Sequence, residues 1–141
     1  MPAKRIPMPP EPFKSLFELK FSKALTKRGI PFKYEPETLP FLQPEKKRKY
    51  TPDFKLTTSR GEFLVETKGK LTAEDRKKMV WVKEQHPNKK IVIVFMNAGN
   101  KLTKVSKTTY GDWADKHGYE WVDFRSGLPK SWRGAADEAG V

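Results

Sequence analysis

The sequence predicts a single α/β domain with a mixed β-sheet flanked by helices, and three observations carry that prediction. Apolar residues switch between helical spacing and strand-like alternation along the chain. KIVIVFM, at 90–96, is a near-continuous apolar run with the composition of a strand covered on both faces. It follows a strand and then a helix, so those two strands form a βαβ unit, paired in parallel through a right-handed crossover.

Taken in order, residues 1–12 carry five prolines and are expected to form a flexible arm. Ser15 opens a helix in which Phe13, Leu16, Phe17, Phe21, Ala24 and Leu25 fall near helical spacing, and Gly29 ends it. Four prolines exclude a helix from 31–49, where Phe32 and Tyr34 alternate as on an extended strand. A connection of that length points to a bridge or a binding role. YTPDFKL (50–56) and EFLVETK (62–68) read as two strands joined by the TTSRG turn. Thr72 caps a second helix, with Asp75 three residues on, and Pro87-Asn88 stops it after His86. A short helix around 109–117 and a strand near 119–123 complete a domain spanning 13–133, and the tail 134–141 is expected to fray. Trp81, Trp113 and Trp121 fall at core-like positions, while His86 and His117 sit at helix ends, where a cation suits the helix dipole.

The charge balance bounds the partners. Lys and Arg number 29 against 17 Asp and Glu, a formal net charge of +12. A field of that sign favours polyanions, nucleic acid before an anionic membrane, with a merely solvated surface as the bland alternative. No apolar run approaches the roughly 20 residues that span a bilayer, and the first residues lack an export signal, so a cytoplasmic protein is expected. With no cysteine and two histidines, any metal would be held by carboxylate oxygens rather than as a zinc site. No small-molecule cofactor is expected.

The chemistry concentrates on the two central strands. Leu64, Glu66 and Lys68 share one strand face, and Phe63, Val65 and Thr67 take the other. A hairpin would bring Asp53 opposite Glu66, and two carboxylates held together become favourable once a divalent cation lies between them. Phosphodiester hydrolysis needs this constellation: Mg²⁺ to generate hydroxide and polarise the phosphoryl oxygen, and a lysine to offset transition-state charge. Asp53 and Glu66 would be metal ligands, the Thr67 carbonyl a third, and Lys68 the catalytic cation. The bare pattern is weak, because E-x-K occurs three times, at Glu18, Glu45 and Glu66, and an exposed ion pair explains Glu66 and Lys68 equally well on spacing alone. Only the Glu66 instance follows a P-D strand and precedes a βαβ crossover. Glu18 closes a Ser15-Leu16-Phe17-Glu18 capping box, which by itself assigns it to the helix start. Lys46, Lys47, Arg48 and Lys49 precede the P-D strand, where they would meet phosphates flanking the scissile bond. Arg76, Lys77 and Lys78 on the second helix are further candidates for DNA contact.

In order and spacing, the helix carrying Glu18, KRGIPFKYE, YTPDF, VETKG, EDRKK, EQHPN, IVFM, KTTYGDWADKHG and LPKSW resemble the phage endonuclease I family. These are Holliday-junction-resolving enzymes within the PD-(D/E)xK nuclease superfamily. The resemblance implies a site of Glu18, Asp53, Glu66 and Lys68, with Glu18 raised from cap to second-metal ligand. It implies one or two Mg²⁺ ions per site, with Mn²⁺ substituting, branched DNA as substrate, and a phage protein acting in the host cytoplasm. It further implies an intertwined homodimer bridged by residues 31–49, in which Glu18 of one subunit joins Asp53, Glu66 and Lys68 of the other. The match is weakest at the proline-rich start and at the final GAADEAGV. Two other readings remain beside it: a restriction-type or mismatch-nicking nuclease with the same core, and a non-catalytic basic DNA-binding protein.

Overall fold

The computed structural model of the protein describes residues 12–43 and 46–134, without the side chain of Lys46. The expected arm, up to residue 11, and the tail from 135 lie outside the described residues. Helix α1 spans Leu16–Arg28 and is closed at both ends as its sequence demands. The Ser15 hydroxyl accepts from the Glu18 N–H at 3.0 Å, and Gly29, at φ 74°, supplies the left-handed cap.

The strands are β1 (Phe32–Tyr34), β2 (Leu39–Gln43), β3 (Lys46–Tyr50), β4 (Phe54–Thr58), β5 (Gly61–Lys68), β6 (Ile91–Phe95) and β7 (Glu120–Asp123). Helix α2 (Ala73–Gln85) joins β5 to β6, and α3 (Tyr110–Lys116) precedes β7. Five strands form one mixed sheet in the order β1-β4-β5-β6-β7, while β2 and β3 make a separate hairpin. Pairings β1–β4 and β4–β5 are antiparallel; β5–β6, across the expected βαβ unit, and β6–β7 are parallel.

Strand alternation sorts the core into two layers. Phe63, Val65, Val92 and Val94 face α1, through Phe17, Phe21 and Leu25, together with Leu128 and Trp132. Leu64, Ile91, Ile93 and Phe95 face α2, α3 and the hairpin, through Met79, Val82, Trp113, Phe41 and Tyr50. The apolar run of β6 is therefore buried on both sides, as its composition required. Trp113 is buried, Trp81 and Trp121 pack partly buried against the same layer, and His86 and His117 occupy the C-caps of α2 and α3.

Two segments differ from their sequence reading. YTPDFKL is not one strand: β3 ends at Tyr50 and β4 begins at Phe54. Pro52 has no N–H for the ladder, so the chain bends between them. Residues 31–49 are not one extended run within this chain either. They contribute β1 to the sheet edge and fold the β2–β3 hairpin onto α2, where the Gln85 side chain bonds both backbone groups of Leu42 and the His86 ring meets the Pro40 carbonyl. At the other end Gly134, grouped with the tail by composition, is buried; a Cβ there would stand 2.2 Å from the Gly29 carbonyl oxygen.

Gly111 gives a stability prediction. A Cβ there would lie 2.8 Å from the Trp121 ring, and that ring is held by its indole N–H donating to Asp115 at 2.9 Å. Gly111→Ala is expected to cost about 1–3 kcal/mol by overpacking, despite alanine's better helix propensity, read as a lowered unfolding midpoint. No helix among the described residues is long and apolar enough to cross a membrane.

Candidate active site

Strand β5 carries Glu66 and Lys68 on the face of Leu64, beneath α2 and the hairpin. The β4–β5 register ends at Phe54↔Val65, leaving Asp53 just before β4 and Glu66 just beyond the last β5 residue paired to it. Asp53 is fastened there by Thr67, whose N–H and hydroxyl both donate to its Oδ2 at 2.8 Å. In an antiparallel strand the N–H and C=O of one residue point to the same neighbour. The Thr67 carbonyl therefore faces the Asp53 side too, and Pro52, lacking an N–H, offers it no ladder donor.

Glu66 is only 6% exposed. Its Oε1 accepts from the Tyr50 hydroxyl at 2.8 Å, and its Oε2 lies 3.1 Å from Lys68 Nζ. Lys68 Nζ also meets Asp75 Oδ1 at 3.3 Å, while Asp75 Oδ2 accepts from the Thr72 N–H to complete the capping box of α2. One aspartate thus caps a helix and holds the lysine.

The electrostatics follow from burial. Asp53 is pushed up to about 8, first by burial and then by the Glu66 charge, against the pull of its two Thr67 bonds. Burial works to lower Lys68, but the Glu66 and Asp75 carboxylates outweigh it and the ammonium is held firmly. Burial likewise opposes ionisation of Asp75, and Lys68 with the Thr72 N–H reverses that, leaving it below the ordinary range. Tyr50 is driven well up by burial and by Glu66, so its hydroxyl stays a donor.

Glu18 stands apart, on the helix covering the opposite sheet face. Its Oε1 accepts from the Lys14 N–H and the Tyr34 hydroxyl, both at 2.7 Å. Half of the expected capping box forms, since the carboxylate reaches the Lys14 amide rather than that of Ser15 itself. Its charge is nevertheless felt at Asp53, raising that carboxyl slightly. Among the described residues no three carboxylates or imidazoles are gathered as a ready-made metal cage. The structure thus brings together Asp53, Glu66, Thr67 and Lys68, and leaves Glu18 connected to them through charge alone.

Of the basic candidates, Arg48, Lys77 and Lys78 line a cavity of about 260 Å³ between the hairpin and α2, with Phe41, Glu74, Asp75 and Trp81. Lys47 and Lys49 are exposed on β3. Arg76 is half-buried and donates to the Leu71 carbonyl at 3.0 Å. The Lys46 side chain lies outside the described residues. Sequence reasoning missed Tyr50 and Tyr34 as carboxylate donors and saw Asp75 only as a cap. A signal for Asp75 existed: it falls seven residues after Lys68, in the first turn of the crossover helix.

Fold and site together define an α/β protein whose mixed sheet carries a buried glutamate and a half-buried aspartate balanced by a lysine. Residues 3–137 match the phage endonuclease I family, and the chain belongs to that family. It is 43% identical over 111 residues to endodeoxyribonuclease 1 of Enterobacteria phage T3, spanning 79% of this chain and 71% of that protein. It is 42% identical over 120 residues to endonuclease I of Escherichia phage T7, spanning 85% and 77% respectively. Among solved structures, a crystal structure of a protein of unknown function is similar at a TM-score of 0.49 and 11% identity, over 88% of this chain and 65% of the other.

Proposed function

We propose that this protein is an Mg²⁺-dependent endodeoxyribonuclease of the PD-(D/E)xK type that resolves four-way DNA junctions by paired phosphodiester hydrolysis in a host cytoplasm. The observation that carries this reading is Asp53, fastened by two Thr67 donors just before β4, with burial and then the Glu66 charge pushing its carboxyl up to about 8. A buried and a half-buried carboxylate, with a carbonyl without a ladder donor, form an all-oxygen set that suits a small hard cation. Such a cation keeps several of its waters and needs only one or two protein carboxylates, so the lack of a three-acid cage fits it. Asp53, Glu66 and the Thr67 carbonyl would hold the first ion, with Glu18 available to a second. When bound, Mg²⁺ supplies an activated hydroxide and neutralises charge on the phosphoryl oxygens, and Mn²⁺ would substitute.

The protein's own residues do the positioning. Thr67 fixes the Asp53 carboxylate, Tyr50 fixes one oxygen of Glu66, and Asp75 holds Lys68 where its ammonium offsets charge on the scissile phosphate. Lys46, Lys47, Arg48, Lys49, Arg76, Lys77 and Lys78 would contact flanking phosphates, which position DNA without reading its sequence. A two-fold homodimer presents two equivalent sites to the two strands to be cut. In the intertwined form, residues 31–49 bridge the subunits and Glu18 serves its partner's site.

The test incubates the protein with a labelled four-way junction and with the matching linear duplex, each with Mg²⁺ and with EDTA. Metal-dependent paired cuts in the junction alone are expected. Equal cutting of both DNAs would return the restriction-type reading, and binding without cutting would return the non-catalytic one. Co-refolding Glu18→Ala with Lys68→Ala subunits tests the composite site, because mixed dimers keep one intact site and regain cleavage.

Metal and proton should compete at Asp53. Its folded value, about 8, lies above its ordinary 3.8, so between those limits the folded state holds a proton that the unfolded chain has released. Metal-free stability therefore falls as pH rises through that window. Mg²⁺ is expected to raise the unfolding midpoint far more at pH ~8.5 than at pH ~6, since binding requires the ionised carboxylate. An equal rise at both would remove Asp53 from the metal site.

A further inference from the structure

The turn between β6 and α3 contains three lysines at even spacing, Lys101, Lys104 and Lys107, and no acidic residue from Gly99 to Thr108. All three are exposed, and between them Val105 is 92% exposed. A β-branched apolar side chain that far into solvent contributes nothing to the core. Its setting is nonetheless ordered. Leu102 N–H donates to the Thr108 carbonyl at 3.0 Å, Lys101 and Thr109 form a β-bridge, and the Tyr110 N–H closes the base on Asn100 at 2.8 Å. At the tip, the Ser106 N–H donates to the Thr103 hydroxyl at 3.1 Å, and the Ser106 hydroxyl accepts from the Thr108 N–H at 3.0 Å. The turn leaves the sheet beside the candidate active site, since β6 is parallel to β5, Phe95 pairs with Lys68, and the next N–H, of Met96, donates to the Lys68 carbonyl at 3.0 Å.

We propose that residues 101–107 are a second DNA-contacting element, in which the three lysines hold backbone phosphates of the arm next to the scissile bond and Val105 packs against bases laid bare at the branch point. This rests on the nuclease reading above and adds a surface to it. The physical case is complementarity. Three ammonium groups on a pre-formed turn match a phosphate backbone without the cost of ordering a loop, and an apolar tip finds a dry partner only where bases are unstacked. A duplex arm offers the first contact alone, and a branch point offers both.

Two variants separate the contributions. Replacing Lys101, Lys104 and Lys107 together by Ala is expected to flatten the plot of log binding constant against log salt by about 2–3 units, on junction and duplex alike. Val105→Ser should leave duplex binding unchanged but lose most of the preference for the junction. It should also lose most of the fluorescence rise of a 2-aminopurine placed at the branch point, with Val105→Ile restoring both. Unfolding midpoints close to that of the parent protein confirm that the turn alone was altered. If the parent protein cuts junctions while the triple variant keeps its salt slope, or while Val105→Ser keeps both preference and fluorescence, the proposal is overturned and the nuclease reading stands. A parent protein that neither binds nor cuts DNA overturns both.

Discussion

Asp53→Asn is expected to lower single-turnover cleavage of a junction by about 10³-fold or more while leaving junction binding intact. The substitution keeps the shape and an oxygen acceptor for the Thr67 N–H and hydroxyl, so the local fold is preserved. What it removes is one negative charge from the pair that would hold the cation. Metal stabilisation of the transition state amounts to several kcal/mol, and each ~1.4 kcal/mol is tenfold in rate. Binding, measured with Ca²⁺ in place of Mg²⁺, should hold or tighten, because a carboxylate repels phosphate. The same variant should be more stable than the parent in EDTA above pH ~8, by on the order of 1 kcal/mol or more, since it no longer forces a second charge against buried Glu66. Loss of activity together with loss of stability would mean instead that Asp53 is a structural residue.

Lys68→Met is expected to be costly in both respects. Its Nζ lies between Glu66 and Asp75, at 3.1 and 3.3 Å, and the side chain is only 13% exposed. Methionine keeps the apolar stem and deletes the charge, leaving two shielded carboxylates without a counter-ion. Breaking such a pair costs about 3 kcal/mol or more, and the lost offset of phosphate charge should lower cleavage about 10²–10³-fold. The stability deficit should shrink as pH falls below the ordinary Asp value of 3.8, where Asp75, held low by Lys68 in the parent, gives up that contribution. Lys68→Arg separates the two roles. It retains the charge and most of the stability, but its planar fork cannot occupy the ammonium's position, so cleavage should stay low. Recovery of full activity in the arginine variant would make the charge alone sufficient.

The parts of this architecture that local chemistry dictates were legible beforehand. Helix limits at Ser15, Gly29 and Thr72 are written in capping residues, and the both-face burial of β6 is written in its unbroken apolar run. That Asp53 comes near Glu66 was legible because hairpin register follows from the turn and the period of two. Long-range packing was not. Nothing local tells residues 31–49 to divide between a sheet edge and a hairpin lying on α2, or tells Tyr50 to reach Glu66. Glu18 illustrates the same limit. Its spacing states only that it begins a helix; whether its carboxylate turns toward a neighbour's amide, a tyrosine or a metal depends on what the folded chain sets beside it.

In the proposed intertwined dimer, the way α1 is seated would also govern how fast subunits trade partners. Phe17, Phe21 and Leu25 are buried against the sheet, and lifting the helix away would expose all three at roughly 1.5–3 kcal/mol each. Any passage between a closed chain and an intertwined pair must cross that barrier, together with the loss of the β1–β4 pairing. That exposure, together with the lost pairing, would slow exchange between two preformed populations mixed at room temperature. The composition of the proposed dimer would then be set first by which chains fold together.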